Sequence, residues 1–478
     1  MGMLSWSTTY LVSVAAISGI REAAHRMART RRIAIVCQPW DNVAPQSGSS
    51  IVIIAYQLAR RLAGNSYVTI YGWRGPGLKK SAVDGDTIRF KRLRVLQIPQ
   101  GLVEICLGIV ACYLKTRNNY LFSYFYHPFY ALRVALSIRV SKCDIVIVHN
   151  FLQFASIIKL FNPSVKICLS MHCEWLTQFA TPASECRLRK VDLIIGCSNY
   201  ITEKISTRFP AVAARCHTVY DGVDTDRFCP MRNFPPWSDG TERLLYIGRL
   251  SPEKGVHVLI QAFKILAESR PRLRLDLVGA SNALHYLYLS LDPQDQASAS
   301  LEPFFGAGLC NMIWRQLILR DRSYLADLAA EAAGDDRIVL HGRVLNTGTV
   351  DFYRRAPALV FPSVWNEPSG LPTFEAQACG IPVVSTYSGG IPEYVSHGKT
   401  GILVARGETK ELAMAISQLL DNPALARAMG EAGRQRAVEG FSWDVVSRRL
   451  ADLLESLCPR SGQADGKLKT LLRWVGVR

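Results

Sequence analysis

Glu367 and Glu375 are separated by seven residues in a pattern typical of a strand, a loop and a helix. The apolar run 358–361 predicts a buried parallel strand, and Pro372 suits the first position of a helix, where its missing N–H costs nothing. Glu367 is therefore expected on the loop and Glu375 in the first turns of the helix. Two solvated carboxylates on an ordinary strand–loop–helix unit are the alternative.

The mouth of this expected helix is a candidate anion site. The backbone N–H groups of Ser369, Gly370 and Leu371 lie there, where the helix dipole and its unpaired donors favour negative charge. Carboxylates on both sides of an anion site suit a ligand with phosphate at its centre and hydroxyl groups at both ends. A nucleotide sugar is such a ligand.

Two cations five residues apart, Arg249 and Lys254, follow another apolar run, 244–247, in the string Gly-Arg-Leu-Ser-Pro-Glu-Lys-Gly. The run predicts a strand, and the cations are expected on the loop after it. Two cations on such a loop can hold a diphosphate from two sides.

His172 follows the apolar run 165–170, which predicts a further parallel strand. Open α/β sheets bind ligands just beyond the carboxyl ends of their strands, so His172 is a candidate to face a substrate. His149, at the end of the run 144–149, is a second candidate. A loop histidine hydrogen-bonded to the backbone is the alternative for His172.

Two of these strings resemble a known family. The glutamate pair, followed by Ala-Gln-Ala-Cys-Gly-Ile-Pro-Val-Val, resembles the donor-site signature of family-four retaining glycosyltransferases (glycosyl transferases group 1), and the string around Arg249 and Lys254 is similar to another part of it. The resemblance covers about residues 31–457. It implies an α/β protein of the GT-B fold, with two doubly wound Rossmann-like parallel-sheet domains that face a cleft.

A chain of 478 residues suits two domains, and strand–helix alternation begins near residue 33 and again near residue 243. The proline pair at 235–236 marks the boundary. With the resemblance, we expect an N-terminal extension at 1–30, an acceptor-side domain at 31–230, a nucleotide-sugar-binding domain at 241–440 with an insertion at 281–322, a helix at 441–460 that crosses back to the first domain, and a basic tail at 461–478.

The resemblance implies a role for each candidate. Arg249 and Lys254 would hold the donor diphosphate and stabilise it as it leaves. Glu375 would hydrogen-bond the ribose hydroxyls. Glu367, with the 369–371 amides, would hold the donor sugar and phosphates, and His172 would face the sugar and the acceptor.

Other positions matter through the same resemblance. Gly48 stands in the first loop, which in the family touches the donor phosphate, and Val344 stands in the loop that meets the nucleotide base. Asp221 replaces the family's usual asparagine in the passage between domains. Asp224 and Asp226 there form an Asp-x-Asp pair, but that metal motif belongs to a different glycosyltransferase fold. We therefore expect no metal and no cofactor besides the donor.

Charge is unevenly distributed along the chain. Residues 1–220 carry 27 Lys and Arg against 10 Asp and Glu, whereas 221–478 carry 29 of each. A basic half implies an anionic partner, either a membrane surface or a phosphorylated acceptor. No recognisable nucleic-acid-binding motif accompanies it, so we do not expect nucleic acid. A basic surface without a dedicated partner is the alternative.

The apolar, aromatic segments 102–113 and 121–140 predict helices that lie at a membrane interface or pack in the core. The 13 scattered cysteines, without a Cys-x-x-Cys pair, indicate a reducing compartment. We expect a cytoplasmic protein, peripheral on the inner face of the cytoplasmic membrane. The extension 1–30 and the tail 461–478 are expected either to touch the membrane or to be loose ends, and the insertion 281–322 either to shape the acceptor site or to contact a partner.

These observations predict a retaining glycosyltransferase that uses a nucleotide-diphosphate sugar and a lipid-linked or membrane-associated acceptor, as in envelope polysaccharide or glycolipid synthesis. A soluble acceptor such as a sugar phosphate is the first alternative. A non-catalytic nucleotide-sugar-binding subunit is the second. The sequence leaves the donor base, the donor sugar and the oligomeric state open.

Overall fold

The computed structural model describes residues 30–45, 49–75, 78–94, 127–178, 180, 182–231, 242–280, 295–301, 304 and 322–458. The expected extension before residue 30, the apolar segment 102–113, most of the insertion 281–322 and the tail 461–478 lie outside these ranges.

The first sheet is built from strands of the N-terminal half. Its strands are β1 (Arg31–Val36), β2 (Ser66–Trp73), β3 (Ser81–Asp84), β4 (Ile88–Leu93), β5 (Ile145–His149), β6 (Lys166–Met171), β7 (Leu193–Gly196) and β8 (Cys216–Thr218). They lie in the order β3-β4-β2-β1-β5-β6-β7-β8. All neighbours are parallel except β3 and β4, which pair antiparallel at one edge.

Helices cover both faces of this sheet, which explains why β5 is apolar and buried along its whole length. The helices are α1 (Ser50–Leu62), α2 (Pro128–Ser141), α3 (Leu152–Phe161), α4 (Trp175–Gln178), α5 (Pro182–Leu188) and α6 (Asn199–Arg208). Helix α1 packs on one face, and α2 and α3 pack on the other.

The second sheet is parallel throughout. Its strands are β9 (Glu242–Ile247), β10 (Leu273–Val278), β11 (Ile338–Gly342), β12 (Leu359–Phe361), β13 (Val383–Thr386) and β14 (Gly401–Val404). They lie in the order β11-β10-β9-β12-β13-β14, so the chain reverses its direction of winding between β9 and β12. Crevices at such reversals, beyond the carboxyl ends of the strands, are where open α/β sheets bind ligands.

The helices of the second half alternate with these strands. They are α7 (Val256–Ala267), α8 (Gln296–Ala299), α9 (Arg322–Ala332), α10 (Thr349–Arg355), α11 (Leu371–Ala378), α12 (Ile391–Tyr394), α13 (Thr409–Asp421), α14 (Pro423–Phe441) and α15 (Trp443–Leu457). The predicted pair of doubly wound parallel sheets is confirmed. Among the helices of the described ranges, none combines the length and the apolar character that crossing a bilayer requires.

Helix α15 leaves the second half and packs on the first sheet. Its buried Trp443, Val446, Leu450 and Leu454 join the core formed by α1 and the sheet. Two ion pairs support this contact, Arg31 Nη2 to Glu455 Oε2 and Arg61 Nε to Asp444 Oδ1, both at 2.6 Å.

Neither β2 nor the β3–β4 hairpin was predicted from the sequence. Strand β4 alternates basic with apolar residues and pairs in parallel with β2. Helix α15 lies within the range 441–460, where the sequence predicts a helix. Helix α2 corresponds to the second half of the apolar segment 121–140, and residues 121–126 lie outside the described ranges.

Replacing Leu450 by alanine removes a fully packed side chain from the contact between α15 and the first sheet. We expect the free energy of unfolding to fall by about 2–5 kcal/mol, as for other buried leucines. Urea unfolding monitored by circular dichroism measures it. Arg448→Ala, on the exposed face of the same helix, is the control and should change the value by less than about 0.5 kcal/mol. Equal effects of the two changes would show that α15 does not hold the first sheet.

Candidate donor site at the winding reversal of the second sheet

The loops after β9 and β12 meet at the winding reversal, and a buried ion pair joins them. Lys254 Nζ, from the first loop, donates to Glu367 Oε2, from the second, and both residues are only 7% exposed. Ser363 Oγ at 3.1 Å and Trp365 Nε1 at 3.0 Å donate to the same oxygen. Burial alone would raise the pKa of Glu367, but the Lys254 charge and these donors hold the pKa below its usual value.

Aromatic rings enclose the Lys254 ammonium group on its other sides. Its nitrogen lies 5.1 Å from the centre of the Trp365 ring and 5.7 Å from that of Phe361, which are distances of cation–π attraction. Gly255 follows, with a φ of +69° and with the carbonyl oxygen of Pro362 only 2.0 Å from where a Cβ would be. Glycine is therefore required here for the two loops to approach each other.

Arg249 lies on the loop after β9, beside this pair. Its Nη2 is 3.3 Å from Oε1 of the buried Glu253, and Ser251 Oγ donates to the same oxygen at 2.6 Å. The other terminal nitrogen, Nη1, is buried and finds no hydrogen-bond partner within the described part of the chain. An unpaired buried guanidinium nitrogen is costly, so Nη1 is available to an anionic ligand.

Glu375, on helix α11, forms a second group of contacts. Its Oε1 accepts a hydrogen bond from Asn346 Nδ2 at 3.0 Å, and its Oε2 accepts one from the Tyr353 hydroxyl at 2.7 Å. Burial raises the pKa of Glu375, although both hydrogen bonds act in the opposite direction. Val344, half-buried, lies in the loop after β11 that also carries Asn346.

The mouth of helix α11 faces the first sheet. Gly370 precedes the helix with a φ of +93°, and Leu371 is its first residue. Ser369 Oγ donates at 2.7 Å to Oδ2 of Asp221, which follows β8 of the first sheet. The loop expected to bind the donor is therefore held by a contact from the other half of the molecule.

Further contacts join the two halves at the same place. Ser198 Oγ donates to the carbonyl oxygen of Pro368 at 2.7 Å. Both carboxylate oxygens of Glu393 accept from the first amides of helix α6, those of Asn199 at 2.7 Å and Tyr200 at 2.8 Å. A carboxylate at a helix N-terminus is stabilised by the unpaired donors and by the helix dipole.

His172 lies beyond β6 and is connected to this seam through Asp221. Its Nδ1 is 3.3 Å from Asp221 Oδ1, and its Nε2 is 3.0 Å from both His149 Nδ1 and Ser170 Oγ. Burial, and then the neighbouring His172, lower the pKa of His149 well below its usual value. His149 therefore stays neutral near pH 7.

Asp295, in the part of the insertion that the structure describes, contacts the Glu367 loop. Arg406 donates to both oxygens of Asp295 at 2.7 Å, and Asn366 Nδ2 lies 3.3 Å from one of them. Asp295, within the insertion, therefore lies directly beside the candidate donor loop.

The structure brings Arg249, Lys254 and Glu367 into one cluster, and it places Glu375 and Val344 in a neighbouring group. Ser369, Gly370 and Leu371 form the mouth of α11, and His172 reaches this mouth only through Asp221. Gly48 lies outside the described residues.

Sequence reasoning missed several residues that organise the site. Asn346 and Tyr353 come from 29 and 22 residues away from Glu375, and no local pattern marks them. Glu253 stood in the quoted string without a role. Asp221, where the family usually has asparagine, contacts both Ser369 and His172. The departure from asparagine was the one feature of the sequence that could have pointed to this residue.

Two family models match most of the chain. The model of Glycosyltransferase Family 4 matches residues 51–227, and that of Glycosyl transferases group 1 matches residues 230–302 and 307–436. The GDP-mannose-dependent alpha-(1-6)-phosphatidylinositol monomannoside mannosyltransferase of Mycolicibacterium smegmatis is 30% identical over 301 residues, which cover 60% of this chain and 70% of that protein.

Solved structures share the fold. Sucrose-phosphate synthase of Thermosynechococcus elongatus superposes with a TM-score of 0.65 at 20% identity, over 90% of this chain and 100% of that one. Anabaena Alr3699/HepE, solved with UDP and glucose, gives a TM-score of 0.61 at 17% identity, over 89% and 99% of the two chains.

The two parallel sheets and these likenesses define an enzyme of the GT-B glycosyltransferase fold. The chain belongs to the group 1 glycosyltransferases of family four, and the resemblance inferred from its motifs is confirmed.

Lys254→Met would leave the Glu367 carboxylate buried without its partner. We expect the free energy of unfolding at pH 7 to fall by about 3–5 kcal/mol, measured by chemical denaturation. Lys254→Met combined with Glu367→Gln should lose much less than the sum of the single changes, because no charge is then left unpaired.

Lys264→Met, at an exposed position of α7, is the control for loss of a lysine. Because the pKa of Glu367 is lowered in the folded protein, the stability from the pair is present above the unfolded-state pKa. It is lost as the pH falls through the folded-state pKa, so wild type and Lys254→Met should converge in acid. Strict additivity of the two changes would contradict a direct interaction.

Proposed function

We propose that the protein is a retaining glycosyltransferase that moves a sugar from a nucleotide-diphosphate sugar to a hydroxyl group of a lipid-linked or membrane-associated acceptor. The observation that carries the donor part of this proposal is the buried Nη1 of Arg249, which lies beside the Lys254–Glu367 pair and has no hydrogen-bond partner among the described residues. This arrangement, at the winding reversal, suits a diphosphate. The first domain, 31–230, takes the acceptor side, and the second, 241–440, takes the donor side.

Each site residue has a task in this proposal. Arg249 and Lys254 neutralise the charge that grows on the diphosphate as the glycosidic bond breaks, and a fixed cation does so without reorganisation. The mouth of α11, from Ser369 to Leu371, receives the donor sugar and phosphates together with Glu367.

Glu375 receives the ribose hydroxyls at the other end of the donor. Asn346 and Tyr353 already hold both of its oxygens in position. Val344 lies on the adjoining loop, where the base would sit. The second carboxylate is thus oriented in advance, which lowers the entropic cost of binding.

Retention by double displacement would need a nucleophile close to the anomeric carbon. Glu367 is a poor candidate, because one of its oxygens accepts three hydrogen bonds within a buried pair. Asp221 accepts a hydrogen bond from Ser369 with one oxygen, and its other oxygen lies 3.3 Å from His172 Nδ1. We therefore infer a same-face substitution, in which the bond to the diphosphate breaks, the bond to the acceptor oxygen forms, and the acceptor proton passes to the departing phosphate.

Helix α2 supports a membrane-associated acceptor. Phe129, Leu136 and Val140 are 65%, 45% and 83% exposed. They recur at helical spacing on one face, together with the exposed Arg133. Apolar residues beside cations suit the interface of an anionic membrane, and we place the protein on the cytoplasmic face of such a membrane. The M. smegmatis relative, whose name specifies GDP-mannose and a phosphatidylinositol mannoside, supports both the donor class and a lipid acceptor.

Thermal shift with UDP-, GDP- and ADP-sugars tests the donor site. We expect one base to stabilise the wild type, by about 2.7 kcal/mol when the ligand is at 100 times its Kd, and Arg249→Ala combined with Glu375→Ala to abolish the effect. Arg272→Ala combined with Glu268→Ala, at exposed positions, removes the same charges elsewhere and should leave the shift intact.

A shift that survives in the Arg249/Glu375 double variant would contradict the proposed site. Transfer of radiolabel from the stabilising donor to a membrane extract then separates an enzyme that turns over from a subunit that only binds. A covalent sugar–protein adduct, if trapped, would overturn the same-face mechanism.

Co-sedimentation with vesicles tests the membrane face of α2. We expect salt-sensitive binding to anionic vesicles, and at least tenfold weaker binding, about 1.4 kcal/mol or more, for Leu136→Glu combined with Val140→Glu. Met414→Glu, at a 64% exposed apolar position on α13, is the matched control. Binding that is unchanged by the double substitution would place the membrane contact elsewhere, and no binding at all would favour an acceptor in solution.

A further inference from the structure

Three side chains with metal-binding atoms converge where the first sheet faces the second. His172, Cys197 and Asp221 follow β6, β7 and β8, which are adjacent in the sheet. One ligand atom from each lies within 4.8 Å of the others. Cys197 is fully buried and Asp221 is 4% exposed, so these are not surface groups that happen to be near each other.

The contact between His172 and Asp221 is not an ordinary hydrogen bond. Nδ1 and Oδ1 are 3.3 Å apart, yet Nδ1 makes no hydrogen bond to any described residue, although the side chain is only 8% exposed. Two ligands of a tetrahedral zinc ion, each about 2.05 Å from the metal, are separated by about 3.3 Å. The observed separation of Nδ1 and Oδ1 therefore matches the distance between two ligands of one zinc ion.

The surrounding residues orient two of the three ligands, His172 and Asp221. The other ring nitrogen of His172 lies 3.0 Å from Ser170 Oγ and His149 Nδ1, either of which can accept its proton. The second oxygen of Asp221 accepts from Ser369 Oγ at 2.7 Å. A histidine or carboxylate ligand is usually oriented in this way by a partner on its far side.

A nitrogen, a sulfur and an oxygen donor together favour a borderline-soft cation, because Mg²⁺ and Ca²⁺ prefer oxygen alone. We propose that His172, Cys197 and Asp221 bind one thiophilic divalent cation of the Zn²⁺ class, with a fourth position left for water or a substrate oxygen. Binding would release the thiol proton of Cys197. The thiol otherwise contacts the carbonyl oxygen of Pro368 at 3.6 Å.

This site goes beyond the proposed function and departs from the expectation of no metal. It does not include Asp224 or Asp226, the residues that suggested a metal motif in the sequence. The ion would not contact the diphosphate pair formed by Arg249 and Lys254. It would join the ends of three strands and, through Ser369, support the donor loop.

Cobalt titration of the full chain, after removal of metals with a chelator, tests the proposal. Co²⁺ is the probe because a thiolate ligand gives it a charge-transfer absorption band. We expect the band to saturate at one equivalent and to disappear when Zn²⁺ displaces cobalt. Cys197→Ser should lose the band, whereas Cys168→Ser, which removes another fully buried thiol outside the cluster, should keep it.

Two further variants separate coordination from a structural effect. Ser369→Ala, which removes only the partner of Asp221, should weaken cobalt binding by about 10–100-fold, and Asp221→Asn should weaken it at least as much. The melting temperature of each metal-free variant shows whether it folds. Absence of a band in folded wild type, or a band that survives Cys197→Ser, would overturn the site in favour of a plain His–Asp pair. A nucleotide-sugar thermal shift on the metal-free protein reports on the donor site separately.

Discussion

The buried pair of Lys254 and Glu367 constrains the whole donor region. Two opposite charges removed from water are tolerated only when they meet with good geometry and further hydrogen bonds. The loops after β9 and β12 must therefore touch, which requires these strands to be neighbours and requires glycine at position 255. The adjacency of β9 and β12, the glycine at position 255 and the aromatic rings around Lys254 all serve this one contact.

The donor loop also depends on the first domain. Ser369 donates to Asp221, and Ser198 donates to the carbonyl oxygen of Pro368. Glu393 of the second domain accepts a hydrogen bond from the N-terminus of helix α6. These contacts are polar and local, and they fix the position of the loop. The geometry of the donor site is thus a property of both domains together, although nearly all its proposed ligand contacts come from the second.

Short-range signals in the sequence were sufficient for the fold and for the loops and the helix that carry the candidate residues. Apolar runs followed by glycine- and proline-containing loops identified β9, β12 and the helix that carries Glu375, because each unit is local in sequence. The partners of Glu375 could not be predicted, since Asn346 and Tyr353 reach it from a separate loop and helix. The same applies to His172, Cys197 and Asp221, which parallel strands bring together from three distant segments. The β3–β4 hairpin was missed because β3 is short and has no buried residue, and because β4 alternates basic residues with its apolar ones.

The start of helix α15 pairs with the segment that leaves the first domain, and this pairing restricts how the two domains can move. Val223 lies where the chain leaves the first domain, and Ser442 lies where the chain returns to it. The two residues pair in parallel, because the backbone N–H of Val223 donates to Phe441 at 2.8 Å and that of Trp443 donates to Val223 at 3.2 Å. Gly222 is packed against the Trp443 ring, so no larger residue fits between the two segments. The domains are thus joined by two strands of chain fastened side by side. Two paired segments resist twisting of one domain against the other more than a single linker does. Bending of the domains about the paired residues is then the easier relative motion.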